Sequence, residues 1–307
     1  MMLGASAPAF AADYPMRTIR YIVPQAAGGS SDTLARIVTQ KLSENLGQQV
    51  VVDNRPGATG NIGGELAARA APDGCTLIQV ATSHATNPAL QAKMPFDPIR
   101  DFAPVTLLSQ APNLWVVHPS LPAHNMRELI ALAKSRPGQI DYASAGTGSS
   151  QHLAGELLKS LAGIAIVHIA YKGSPPALID VLGGRVVLMC STIAPAMPQV
   201  KTGKLRALAN WGTKPHPSLP DIQPLKTMGY DMEAYLWVGV FTSAAVPEAT
   251  MTKLRDLIRK AVNEPLFKQS LDNVQVVPDY RDAPEFRRFF DADHKRMAAV
   301  VKGIGKI

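Results

Sequence analysis

Two glycine-rich turns constrain what this 307-residue chain can fold into. They are Pro24-Gln25-Ala26-Ala27-Gly28-Gly29-Ser30-Ser31-Asp32 and Ser144-Ala145-Gly146-Thr147-Gly148-Ser149-Ser150. An apolar β-type run precedes each, over 19–23 and 140–143. Apolar residues at helical spacing follow: Leu34, Ile37, Leu42 and Leu46 after the first, Leu153, Leu157 and Leu161 after the second. A strand that stops at glycines and feeds a helix leaves unpaired backbone N–H groups at the positive end of the helix dipole, where small anions bind without a lysine. Gly and Ser also serve ordinary βα loops and caps, so either turn alone would mean little. Two of them, far apart and each richer in Gly and Ser than capping requires, predict two jaws of one anion site. A nucleotide site is disfavoured: no Lys-Ser/Thr follows the first turn, and the second reads Gly-Thr-Gly-Ser-Ser-Gln rather than GxGxxG.

Around these turns strand and helix patterns alternate. Strand 19–23, helix 33–46, strand 49–53, turn 54–60, helix 62–70 and strand 76–81 read as a βαβαβ unit, which implies a parallel sheet with right-handed crossovers. The polar stretch 82–88 should open at the carboxyl ends of those strands, where ligands of open α/β sheets collect. Two β-like runs, 102–109 and 114–118, stand either side of Pro112-Asn113. A second unit follows: helix 126–135, strand 140–143, helix 151–162, strand 166–171, helix 175–182, strand 186–190, a helix near 194–201 and strand 205–210. The run 236–242 is β-like again, and the remainder is helical, with Met251, Leu254, Ile258 and Val262 on one face and Phe286, Phe289, Phe290, Met297 and Val300 on another. The expected architecture is α/β and two-lobed. Each lobe is a mostly parallel sheet flanked by helices, lobe 1 comprising 13–110 plus 242–307 and lobe 2 111–241, with the ligand cleft between them.

Composition narrows the function. The net charge of +7 is scattered and only 6% of residues are aromatic, so neither a basic run nor a stacking platform for nucleic acid is present. Residues 1–12 are small and apolar and end in Ala9-Phe10-Ala11-Ala12, the pattern of a secretory cleavage site, and read as the remnant of a signal whose start lies upstream or was trimmed. No later run reaches the roughly eighteen apolar residues of a spanning helix. Cys75 and Cys190 lack CxxC partners and read as buried free thiols. The seven histidines show no metal-ligand spacing, so neither metal nor cofactor is expected. Catalysis is disfavoured as well. Gly146-Thr147-Gly148-Ser149-Ser150 has the wrong register for GxSxG, and Ser149 or Ser150 within one turn of His152 is better placed to cap a helix or meet an anion than to act as a nucleophile. An α/β hydrolase or transferase using either serine is the alternative from another class.

A set of short motifs in fixed order carries a resemblance over nearly the whole chain. It includes Tyr14-Pro15, the Pro24…Gly28-Gly29…Asp32 turn, Val52-Asp53-Asn54-Arg55-Pro56-Gly57-Ala58, Pro72-Asp73-Gly74, Asn87-Pro88, Phe96-Asp97-Pro98, Asp101-Phe102-Ala103-Pro104-Val105, Tyr142-Ala143-Ser144-Ala145-Gly146, His152-Leu153-Ala154-Gly155-Glu156, Tyr171-Lys172-Gly173, Gly203-Lys204-Leu205-Arg206-Ala207-Leu208 and Leu219-Pro220-Asp221. The sequence resembles the Bug or TctC family, the periplasmic solute-binding proteins of tripartite tricarboxylate transporters. The resemblance implies a type II periplasmic-binding-protein fold that closes on a small organic carboxylate, located in the periplasm, acting as a monomer and delivering its ligand to membrane permease subunits. A sensor feeding a membrane histidine kinase is the alternative within the binding class. In that family the two turns hold the carboxylate through backbone amides and ordered water, and Asp32 fixes the first turn. Three departures stand out: Gln25-Ala26-Ala27 replaces an aromatic and prolines, Cys75 stands where Tyr is common, and Cys190-Ser191-Thr192 lacks an acidic residue.

The candidate binding residues are therefore Gln25, Ala26, Ala27, Gly28, Gly29, Ser30 and Asp32 in the first turn and Ser144, Gly146, Thr147, Gly148 and Ser149 in the second. On the rim are Thr82, Ser83, His84 and Asn87 after the third strand, with Tyr171, Lys172, Ser191 and Thr192 in the second lobe. Plainer roles are open to some: Asn87 as a turn cap, Tyr171 in packing, Lys172 in water. Gln25, His84 and Lys172 can donate to a second carboxylate and no acid stands ready for an amine, which favours an acid without an amino group.

Overall fold

The computed structural model describes residues 14–91, 93–230, 233–273 and 278–304; the signal-like segment 1–12 lies outside them. The first unit runs β1 (Ile19–Val23), α1 (Ser30–Leu46), β2 (Val50–Asn54), a 3₁₀ turn (Ala58–Gly60), α2 (Asn61–Ala68), β3 (Thr76–Ala81) and α3 (Ser83–Leu90). A sixteen-residue strand, β4 (Phe102–Val117), leads into the second unit. That unit comprises α4 (Met126–Ser135), β5 (Asp141–Ser144), α5 (Ser150–Ala162), β6 (Val167–Ala170), α6 (Ser174–Leu182), β7 (Leu188–Thr192), α7 (Ile193–Lys201) and β8 (Arg206–Asn210). The chain returns through β9 (Tyr235–Ser243) and ends with α8 (Glu248–Asn263), α9 (Pro265–Asn273), β10 (Pro278–Arg281) and α10 (Ala283–Ile304).

The parallel cores are β2-β1-β3 in the first sheet and β7-β5-β6 in the second. Crossing strands add antiparallel neighbours. β9 lies between β3 and the first half of β4, and β10 pairs that half on its other side. The second half of β4 runs between β7 and β8. The two β-like runs expected around Pro112-Asn113 are thus one strand that leaves one sheet and enters the other. Proline lacks an N–H and suits a strand only where the ladder is interrupted. Pro112 is the last residue registered with β9, and Asn113 the first registered with β7. Asn113 N–H donates to Ala234 O at 3.0 Å, tying outgoing to returning chain. The expected lobe limit at 241/242 falls inside β9, whose residues 235–241 pair with the first sheet; ladder pairing puts that limit near 234.

Helices cover both faces of each sheet because their apolar stripes need a partner. Leu34, Val38 and Leu42 of α1 pack with Met251, Leu254 and Ile258 of α8 on one face of the first sheet, and Phe286 and Phe290 of α10 lie on the other. In the second sheet α4 and α5 cover one face, α6 and α7 the other. The last segment is not wholly helical, since 278–281 forms an edge strand.

Gly239 on β9 marks how closely α10 lies on the sheet: a Cβ there would meet the Phe286 ring at 2.2 Å. Gly239→Ala should therefore cost about 1–3 kcal/mol through overpacking. Urea unfolding checks this, and an unchanged midpoint would refute that close packing.

Candidate functional site

Every strand of the two parallel cores except edge strand β2 is followed directly by a helix, so the starts of α1, α3, α5, α6 and α7 gather at one place. Gly29 and Ser31 of the first turn, Ser83, the run Ser149 to Gln151, the run Gly173 to Pro175, and Thr192 line one cavity of about 20 Å³, room for about one water. No charged side chain is among its lining residues. A cavity of about 230 Å³ adjoins it, sharing Gln25, Ser83, Ala145, Ser149 and Gly173 and walled further by the 3₁₀ turn, Gly146, Thr147, Tyr171 and Lys172. Lys172 is the one charged residue lining it. The jaws touch: a Cβ at Gly29 would meet Pro175 at 3.5 Å, and one at Gly173 would meet Ala26 at 3.3 Å.

Asp32 shapes the first turn. Its carboxylate accepts from Gly28 N–H at 2.9 Å, Asn54 Nδ2 at 2.9 Å and Arg36 Nε at 3.0 Å. Burial alone would raise its pKa, but hydrogen bonds from Arg36, Gly28 and Asn54 outweigh burial and hold it below the usual carboxylate range. Asp32 is thus a buried support of the turn and lines neither cavity. Gly28, at φ +81°, adopts a backbone conformation that side chains disfavour. Beneath the helix start, Tyr21 donates to Gln79 at 3.0 Å and Gln79 donates to Ser31 O at 2.6 Å. Ser31, absent from the expected set, lines the cavity with a buried hydroxyl that has no protein partner. Its only sequence signal was its place at the second position of α1.

The second turn departs from expectation in which amides it offers. Gly146 N–H donates to Ser144 Oγ and Gly148 N–H to His152 Nδ1, both at 3.0 Å, so the two glycine amides point into the protein. Ser144 is fully buried beneath the turn. Ser149 Oγ caps α5 by accepting from His152 N–H at 3.2 Å, and Ser150 and Gln151, whose helix-start amides have no intrahelical partner, are both among the residues lining the cavity. Ser150 Oγ donates to Asn113 Oδ1 at 3.3 Å. Neither serine hydroxyl is paired with an imidazole nitrogen, as a nucleophile would need.

Of the candidate residues, Gln25, Ala26, Gly29, Gly146, Thr147 and Ser149 of the turns and Ser83, Tyr171, Lys172 and Thr192 of the rim line the two cavities. Ala27 and Gly28 are exposed outside them, and Ser30 opens α1 with a side chain outside the described part. Thr82 Oγ1 donates to Tyr235 O at 3.1 Å, and Ser191 is fully buried with its hydroxyl on Thr192 O. Tyr171 OH donates to Asp180, so the ring walls the cavity while its hydroxyl is engaged. Asn87 caps no turn before Pro88 but lies within α3, donating to Thr59 O at 3.1 Å and Asn61 Oδ1 at 2.8 Å and so holding the 3₁₀ turn in which Ala58 and Thr59 sit at positive φ. His84 is not on the rim. The first turn of α3 aims its ring into the core among Phe96, Phe102, Phe241 and Phe290, where Nε2 has no partner.

Burial pushes His84 down to about 4, and burial likewise lowers His152 to about 4 and His168 to about 3. The unfolded chain takes up these protons from about pH 6.5 downward while the folded chain resists, so stability is complete above about 6.5 and is lost as pH falls toward 4. His84→Phe should shrink the drop in melting temperature between pH 7 and 4.5. An undiminished drop would mean that His84 is not held neutral by its cage.

Residues 34–306 match the family described as the tripartite tricarboxylate transporter family receptor. Protein BugT of Bordetella pertussis is 35% identical over 309 residues, covering 98% of this chain and 94% of BugT. The structure of the periplasmic binding protein BugD superposes with a TM-score of 0.91 at 30% identity, covering 95% of this chain and 99% of that one. A protein of R. palustris solved with adipate superposes equally well, at 0.91 and 32% identity with the same coverage. Among the described residues no helix is long and apolar enough to cross a membrane. With its α/β periplasmic-binding-protein fold, this chain belongs to the tripartite tricarboxylate transporter receptor family, the Bug or TctC proteins, and is a solute-binding receptor rather than an enzyme.

Proposed function

We propose that this receptor works in the periplasm, closes on a small organic acid without an amino group, and passes it to membrane permease subunits. The observation that carries the proposal is the cavity ringed by five helix starts with no charged side chain in its lining, a site that suits an anion held by amides. Four or five charge-assisted hydrogen bonds at about 1.5–3 kcal/mol each sum to roughly 6–15 kcal/mol, a range that spans the roughly 8 kcal/mol of a micromolar complex before ordering costs are subtracted. Neither cavity has an acidic lining residue to meet an ammonium group. Gln25 and Lys172 at the larger cavity can take a second carboxylate, and the adipate-bound relative supports a dicarboxylate. The two sheets with their helices are the two lobes, and they open and close about the crossing near 112–113 and 234.

Calorimetry against mono-, di- and tricarboxylates, aromatic acids and amino acids should give heat with acids lacking an amine, with compaction by small-angle scattering on binding. Heat from amino acids alone, or from none of the panel, would reject the proposal.

Ser150 offers a sharper probe. It is the first residue of α5, where proline is tolerated, and Ser149 before it is already extended at φ −67° and ψ 158°. Ser150→Pro should keep the fold but remove one amide donor, weakening the acid by about 1.5–3 kcal/mol, roughly 10–150-fold. Ser150→Ala should bind within a few-fold of wild type, and equal losses in both variants would count against amide recognition.

A further inference from the structure

The second jaw rests on a buried polar platform. Ser144 Oγ receives Gly146 N–H and stands 2.6 Å from His168 Nε2 on β6. The His168 ring stacks on His152 with centroids 3.9 Å apart. His152, only 2% exposed, accepts Gly148 N–H at Nδ1, so that nitrogen carries no hydrogen and the neutral ring's proton is on Nε2. Around it stand Glu156, whose Oε1 lies 3.9 Å from His152 Nε2, Lys159, which donates to that carboxylate at 2.7 Å, and Tyr142, which donates to it at 2.9 Å. Lys159 and Tyr142 thus satisfy Glu156, which leaves no unpaired negative charge to favour an imidazolium. An apolar side chain would fill this space equally well for packing alone, yet an acceptor is aimed at the one amide that precedes the α5 cap.

We infer that neutral His152 is the positioning residue of the second jaw: by drawing Gly148 N–H inward it fixes the entry to α5 and leaves the Ser150 and Gln151 amides as the donors that face the ligand. A protonated ring has no acceptor at Nδ1, so a proton on His152 and an anion in the cleft oppose each other. Burial, which depresses the His152 pKa, keeps the jaw set at neutral pH.

Only the binding arm of the test rests on the proposed capture of an acid. The full chain, ¹⁵N-labelled, is compared with His152→Asn, whose Oδ1 can stand where Nδ1 was, and His152→Leu, which fills the space without an acceptor. At pH 7 the His152 ring should show its hydrogen on Nε2, and the Gly148 amide resonance should be kept in the Asn variant and displaced in Leu. With adipate as probe, Asn should bind within about threefold of wild type and Leu more weakly by about tenfold or more, with unchanged circular dichroism. Toward pH 4 adipate itself takes up protons and affinity falls in both proteins, so the expected sign of His152 is a steeper decline in wild type than in the Asn variant. A hydrogen on Nδ1 at pH 7, or a Leu variant that keeps the Gly148 resonance, overturns the inference. If adipate gives no heat with wild type, the choice of acid fails and the resonances still decide the role of His152.

Discussion

Like ends of helix dipoles repel, and this fold turns five of them toward one small space. Each start carries up to about half a positive charge, so the arrangement favours negative charge between the jaws. Asp32 supplies some at α1, whereas the first turn of α5 contains no acid. The surroundings follow from that constraint. A turn that presents bare amides cannot also stabilise itself with them, so each jaw is braced from behind: the first by the Asp32 carboxylate and the Tyr21–Gln79 relay, the second by Ser144 and His152.

Labour at the site is accordingly divided between main chain and side chain. Amides of the helix starts suit any carboxylate, and they sit where there is hardly space for more than that group. The larger cavity beside them is walled by side chains and by the 3₁₀ turn, where Ala58 and Thr59 adopt positive φ and Asn87 holds them. Backbone strain persists only where neighbours over-determine it, and here it shapes the wall against which the rest of a ligand would lie.

The βα alternation and both jaws were legible in the sequence because hydrophobic period switches sharply at each glycine-rich turn. β4 was harder: a proline in a strand interior reads as a break, and only the change of ladder partner at Pro112 makes it compatible with a continuous strand. The four-residue β10 is too short to show alternation. At the site, proximity in sequence identified which turns matter but not which way each group points. His84 follows β3 directly, as a rim residue should, yet the helical pitch of α3 turns it into an aromatic cage. The Gly146 and Gly148 amides were expected outward; their acceptors Ser144 and His152 look in the sequence like any serine and histidine. Ser31 carries no sequence signal that sets it apart from the serine before it or from Asp32 after it.

The shared strand β4 bears on how such a chain finds its fold. Pairing Pro112 with Tyr235 closes a chain loop of about 120 residues, at an entropic cost on the order of 4 kcal/mol if the loop were unstructured. Once the second sheet has formed, Asn113 N–H is already bonded to Ala234 O, and the two strands of the first sheet leave it side by side. The inserted lobe therefore acts as a staple, converting the most distant pairing in the first sheet into a local one, and contact order measured along the sequence overstates the search the first lobe has to make.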